Sequence, residues 1–155
     1  MKSYSSGYSD MEELKLILIV GPTASGKTAA SIYAAIKLNG EIVSADSIQV
    51  YKGMDIGSAK PTMQERQGIP HHLMDAIDIN SPKFSVAEFR KMAGEAIEDI
   101  TGRGKQPIVV GGTGLYINSL VFPLNFTEVQ SDEKLRSELS EIEERRGRGT
   151  LHAML

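Results

Sequence analysis

Gly21-Pro22-Thr23-Ala24-Ser25-Gly26-Lys27-Thr28 decides the fold of this chain, and every other segment takes its meaning from it. The stretch fits G-x-x-x-x-G-K-[ST] and follows an apolar run, Leu14 to Val20, as a phosphate loop requires. Its glycines let the backbone curl so that successive N–H groups point inward as an anion-binding nest. The helix that follows adds the positive end of its dipole. All eight residues, Gly21 to Thr28, are candidate phosphate contacts. Lys27 brings a full positive charge to the terminal phosphates, and the Thr28 hydroxyl is the candidate magnesium contact. The plain alternative is a glycine-rich turn that binds nothing. Strand context before and helix context after favour a site for a di- or triphosphate.

Outward from the loop, Leu16 to Val20 is continuously apolar, the pattern of a parallel strand covered on both faces. Thr28 to Leu38 reads as a helix stopped by Asn39-Gly40. Glu41 to Ser44 is a second short strand, with Asp46 just beyond its carboxyl end. Residues 51–82 are rich in Gly, Pro and polar groups and read mostly as loop. Ser85-Val86-Ala87-Glu88 is a capping box. Val86, Phe89, Ala93, Ile97 and Ile100 follow at helical spacing, and Gly102 and Gly104 end the run. Pro107 to Val110 is a further buried strand, closed by Gly111-Gly112-Thr113-Gly114. A short helix spans Leu115 to about Phe122. Ser131 opens a last helix with Leu135, Leu139 and Ile142 on one face, an acidic start and a basic end. Alternating strands and helices predict a parallel sheet with helices on both sides, whose ligands bind beyond the strands' carboxyl ends.

Composition narrows the partners. At 155 residues the chain is one domain by length, and 41% hydrophobic with 24% charged residues describes an ordinary globular protein. A formal net charge of −3 argues against broad, non-specific attraction to nucleic acid, so any RNA partner is recognised locally. The absence of cysteine excludes disulfides and thiolate metal sites and suits a reducing cytoplasm. Residues 1–12 read as a floppy lead-in without the apolar core of a signal peptide, and Leu14 to Val20 is too short to span a bilayer.

Three further segments carry chemistry. Asp46 can bind magnesium through water or accept a proton, while Ser47 and Gln49 offer donors and acceptors suited to a base edge. The structural alternative is an Asx-turn at a strand exit. Gly111 to Gly114 permits close approach of backbone to ligand, with the Thr113 hydroxyl alongside, or it is simply a tight strand-to-helix turn. Lys60 can reach phosphate, but a solvated loop lysine is the expectation. His71 and His72 are adjacent and face differently, so they make a poor metal pair. The basic residues between Lys134 and Arg148 are interleaved with acidic ones and read as a solvated helix face.

Together GPTASGKT, SADSIQVYKGMDIGSAKP and VVGGTGLYINSL resemble the tRNA dimethylallyltransferase family, over about residues 16–155. The phosphate loop alone is shared by many enzymes; DSIQVYKGMDIGSAKP followed by GGTGLY is far more restrictive, and PHHL and SVAEFR also match. The resemblance implies a P-loop NTPase-like α/β core over 13–125 and the start of a helical, tRNA-contacting insertion over 126–155. It implies transfer of a dimethylallyl group from dimethylallyl diphosphate to N6 of an adenine next to the tRNA anticodon. Thr23 to Thr28 would hold the diphosphate, with Mg2+ placed by Thr28. Lys27 would stabilise the leaving group, and Asp46 would be the general base. Thr113 would lie near the reacting centre, Asp46, Ser47, Ile48 and Gln49 would meet the adenine, and Arg136 would touch tRNA. The expected full-length protein is a cytoplasmic monomer that continues beyond Leu155, so the α/β core is expected to be cut short, with one sheet edge or helix face exposed. Rival readings are an adenylate isopentenyltransferase, a small-molecule P-loop kinase and a non-catalytic nucleotide-binding module.

Overall fold

The computed structural model describes residues 16–81, 84–123 and 132–155. The expected lead-in, Leu14 and Lys15 of the first apolar run, and Ser131 as a helix opener lie outside the described residues. Two compact units divide at residue 124.

In the first unit, β1 (Ile17–Val20), α1 (Lys27–Leu38), β2 (Gly40–Ser44), β3 (His71–His72), α2 (Val86–Gly102), β4 (Gln106–Gly111) and α3 (Gly114–Val121) follow in chain order. The four strands form one parallel sheet in the order β1-β4-β2-β3. Ile17, Ile108, Ile42 and His71 stand in one row across it.

Strand alternation sends successive side chains to opposite faces. Ile42 and Ile108 meet Ile32 and Ala35 of α1 on one face. Val43, Ala45 and Val109 meet Phe89, Ala93, Ile97 and Ile100 of α2 and Tyr116 of α3 on the other. Phe89 stacks on Tyr116 with ring centroids 4.1 Å apart, and truncating such a buried ring costs about 3–5 kcal/mol. The capping box forms as its sequence requires: the Ser85 hydroxyl accepts from Glu88 N, and the Glu88 carboxylate accepts from Ser85 N at 2.7 Å.

Two details go beyond the sequence reading. β1 packs on both faces, as its apolar run predicts, but only in part. Leu18 and Ile19 pack toward opposite faces, yet β1 bonds to β4 alone among the described residues, and Val20 is 55% exposed. Within the predicted loop, His71 and His72 form β3, parallel to Ile42 and Val43. A two-residue strand is too short to show periodicity; it is placed by main-chain bonding, with Ile42 N donating to Pro70 O at 3.0 Å.

Near the amino end of β2, the Glu41 side chain is 2% exposed and holds three bases. Arg103 donates to both its oxygens (2.6 and 2.7 Å), and Lys105 and His72 donate at 2.7 Å each. The Arg103 bonds, opposed by burial and aided by Lys105 and His72, hold the Glu41 carboxyl well below the usual carboxylate range.

The second unit contains α4 (Glu133–Arg146) and α5 (Thr150–Ala153). The carboxylate of Asp132 caps α4 by accepting from Leu135 N at 2.9 Å, and Arg145 and Arg146 occupy its last turn.

Candidate active site

The phosphate loop leaves β1 and enters α1 through two left-handed residues, Ala24 (φ 63°) and Gly26 (φ 82°). A left-handed turn at the helix entrance suits glycine and curls the loop around its own amides. Among the described residues no side chain caps α1, and uncapped first-turn N–H groups suit an anion. Lys27 Nζ donates to Pro22 O at 2.5 Å.

Residues Thr23 to Ala29 line a cleft of about 750 Å³. Asp46, Gln49, Val110 and Gly111, from the carboxyl ends of β2 and β4, line the same cleft. Gly21 and Pro22 form the loop's approach rather than its lining. Ile32, Tyr33 and Ile36 of α1 supply an apolar wall, with Tyr33 65% and Ile36 50% exposed. Their helical spacing was visible in the sequence, but nothing there distinguished a cleft wall from a core stripe.

Asp46 does form an Asx-turn: its Oδ1 accepts from Ile48 N (2.9 Å) and Gln49 N (3.1 Å). The turn and the cleft position coexist, since both bonds use Oδ1. Oδ2 carries no protein hydrogen bond among the described residues. Beside it, Ser47 N donates to Thr113 Oγ1 at 3.2 Å, and Thr113 Oγ1 lies 3.4 Å from Ser47 Oγ. Thr113 thus braces the segment that carries Asp46. Gln49 is held on three sides: Ser44 Oγ donates to its Oε1 (3.3 Å), and its Nε2 donates to Ser58 O (3.0 Å) and Ala59 O (3.3 Å). Ile48 is exposed.

Lys60 is not solvated, contrary to expectation. Its side chain is 4% exposed, and its ammonium donates to Tyr51 O, Asp55 Oδ1 and Asp75 Oδ1. Sequence alone shows none of these partners, which are 5 to 15 residues away along a chain without periodicity. His71 and His72 part company as expected. The ring Nδ1 of His71 bonds Ile69 O at 2.8 Å, burial lowers its basicity, and His72 turns to Glu41. Among the described residues no three His, Cys, Asp or Glu side chains gather as a metal site. Arg136 is an exposed residue of α4, in the second unit.

This constellation can hold a diphosphate at a helix amino end, beside apolar surface and the Asp46 carboxylate. Comparison with known proteins identifies the family. A family model described as IPP transferase matches residues 49–155. The tRNA dimethylallyltransferase of an Exiguobacterium species is 53% identical over 94% of this chain, which spans 46% of that protein. A crystal structure of the full-length tRNA isopentenylpyrophosphate transferase from Bacillus halodurans is 47% identical, with a TM-score of 0.72 over 92% of this chain and 46% of its own. A eukaryotic dimethylallyltransferase acting on tRNA is 39% identical, with a TM-score of 0.68 over 78% of this chain and 31% of its own. The chain spans just under half the length of the curated relatives it matches. On the strength of the matched family model and these likenesses, and of a P-loop NTPase-like sheet shared with them, the chain belongs to the IPP transferase family.

Proposed function

We propose that this chain supplies the donor pocket and base for transfer of a dimethylallyl group from dimethylallyl diphosphate to N6 of an adenine beside the anticodon of tRNA, releasing pyrophosphate. One observation carries the reading: the phosphate loop and Asp46 open onto a single cleft. The donor's diphosphate sits in the loop at the amino end of α1, and Lys27 exchanges the Pro22 carbonyl for a phosphate oxygen. As the C–O bond breaks, charge gathers on the leaving pyrophosphate, and preoriented N–H groups and Lys27 stabilise it. Thr28 lines the cleft with a hard oxygen. That donor fits Mg2+, which takes few protein ligands and shares phosphate oxygens and waters. Bound magnesium would neutralise part of the diphosphate charge.

Adenine N6 is a weak nucleophile because its lone pair is delocalised into the ring. The two main-chain bonds to Oδ1 orient the Asp46 carboxylate, leaving Oδ2 to take the N6 proton as the C–N bond forms. The base must leave its stack to reach this point. Ser47, Ile48, Gln49 and Thr113 surround Asp46 on the acceptor side. Residues 13–125 act as the catalytic core, and 126–155 begin the tRNA-contacting insertion, with Arg136 reaching the RNA. The full-length enzyme works as a cytoplasmic monomer.

Labelled dimethylallyl diphosphate offered with unmodified tRNA or with AMP, to the protein at the length of its relatives, tests the reading. Label is expected in tRNA with release of pyrophosphate. Label entering AMP alone, or γ-phosphate passing from ATP to a small hydroxylated acceptor, would overturn it.

A further inference from the structure

Lys60 does not line the cleft, yet one wall of the cleft depends on it. An ammonium has three N–H donors, and here all three are used: Tyr51 O at 3.0 Å, Asp55 Oδ1 at 2.9 Å and Asp75 Oδ1 at 2.6 Å. Two of these acceptors belong to a fixed frame. Tyr51 forms a parallel bridge with Ile77, and Asp75 N donates to Gln49 O at 3.1 Å. Lys52 N and Ala76 N close the same frame through Ile77 O and Val50 O, both at 2.8 Å. Arg66 adds a second cation to Asp75 at 3.5 Å and donates to Pro61 O at 3.0 Å.

Lys60 therefore ties the 55–60 turn down onto the 49–52 and 75–77 frame. Ala59, the residue before it, sits at φ 51°, a backbone conformation that needs outside support. The carbonyls of Ser58 and Ala59 in that same turn hold the Gln49 amide. Gln49, Ser58 and Ala59 all line the cleft.

We propose that Lys60 is a positioning residue: by clasping the 55–60 turn it sets which way the Gln49 side-chain amide faces in the cleft. With the clasp made, Nε2 is committed to the turn and Oε1 to the Ser44 hydroxyl, so the amide presents one fixed edge to an acceptor. With the clasp broken, the amide can rotate. The link to the acceptor rests on the function proposed above; the clasp itself does not.

The test is Lys60→Met, read by NMR exchange of the Gln49 side-chain amide protons and by pyrophosphate titration. The expected result is exchange at least about tenfold faster at Gln49, reporting a local opening. Pyrophosphate affinity is expected to stay within about twofold, because no atom of Lys60 bonds the loop. A folded variant with unchanged Gln49 exchange overturns the proposal. Should Lys60→Met fail to fold, Asp55→Ala removes the more exposed partner outright, and unchanged exchange there overturns it equally. In the full-length enzyme the KM for tRNA is expected to rise about tenfold with the donor KM unchanged. Faster Gln49 exchange without that rise would uphold the clasp and remove Gln49 from acceptor recognition.

Discussion

Gly111 and Ala45 cross so closely that a β-carbon on Gly111 would stand 2.1 Å from the Ala45 carbonyl oxygen. Ala45 N donates to Val110 O at 2.7 Å, so the exits of β2 and β4 are stitched together directly before Asp46. Gly111→Ala must push this stitch apart. Overpacking of this kind costs about 1–3 kcal/mol, and backbone rather than a flexible side chain is what must move. Urea unfolding is expected to show at least that loss, and turnover to fall more than pyrophosphate affinity. Wild-type stability in the variant would contradict the crossing.

Asp46→Asn keeps an oxygen for the Ile48 and Gln49 amides but loses the proton acceptor. Turnover of the full-length enzyme is expected to drop about a hundredfold or more, with pyrophosphate affinity within about twofold of the parent. Equal turnover would remove Asp46 as the base.

Lys27→Ala removes the one side-chain ammonium among the described residues that line the cleft. A hydrogen bond to a charged group contributes about 1.5–3 kcal/mol, so calorimetric titration is expected to show pyrophosphate binding weakened about tenfold to a hundredfold. Unchanged affinity would mean that Lys27 stays on the Pro22 carbonyl throughout.

Glu41→Gln tests the charge cluster on the far side of the sheet. Breaking a buried ion pair costs about 3–5 kcal/mol, and the lower figure applies because Arg103 and Lys105 are 40% and 35% exposed and screened by solvent. Because folding lowers the Glu41 pKa, its contribution is fully present above the unfolded value near 4.5 and is lost as pH falls toward the folded one. The stability gap between parent and variant is therefore expected to be widest at neutral pH and to shrink below about pH 4.5. A gap independent of pH would assign the cost to packing instead.

The segments legible in the sequence were those whose causes are local. The capping box at Ser85 and Glu88, the helical stripe from Phe89 to Ile100 and the phosphate loop each follow from neighbours within a few residues. What stayed hidden depends on distance along the chain. Glu41 meets Arg103 and Lys105 more than sixty residues away, and nothing around a lone acidic residue in an apolar strand foretells three basic partners. Lys60 and Gln49 were read as separate polar residues because their shared turn has no period to detect. The unbroken apolar run of β1 predicts cover on its faces and is silent about its place in the strand order.

A single residue, Asn39, separates α1 from β2: it takes a left-handed conformation (φ 50°, ψ 46°), donates its N–H to Ala35 O, and Gly40 already belongs to the strand. With one residue between them, α1 and β2 are tied closely, so the loop before Lys27 and the carboxylate after Ser44 are joined by almost continuous regular backbone. The opposite bank of the cleft, where the turn carries Ser58 and Ala59, is fastened by a side chain instead.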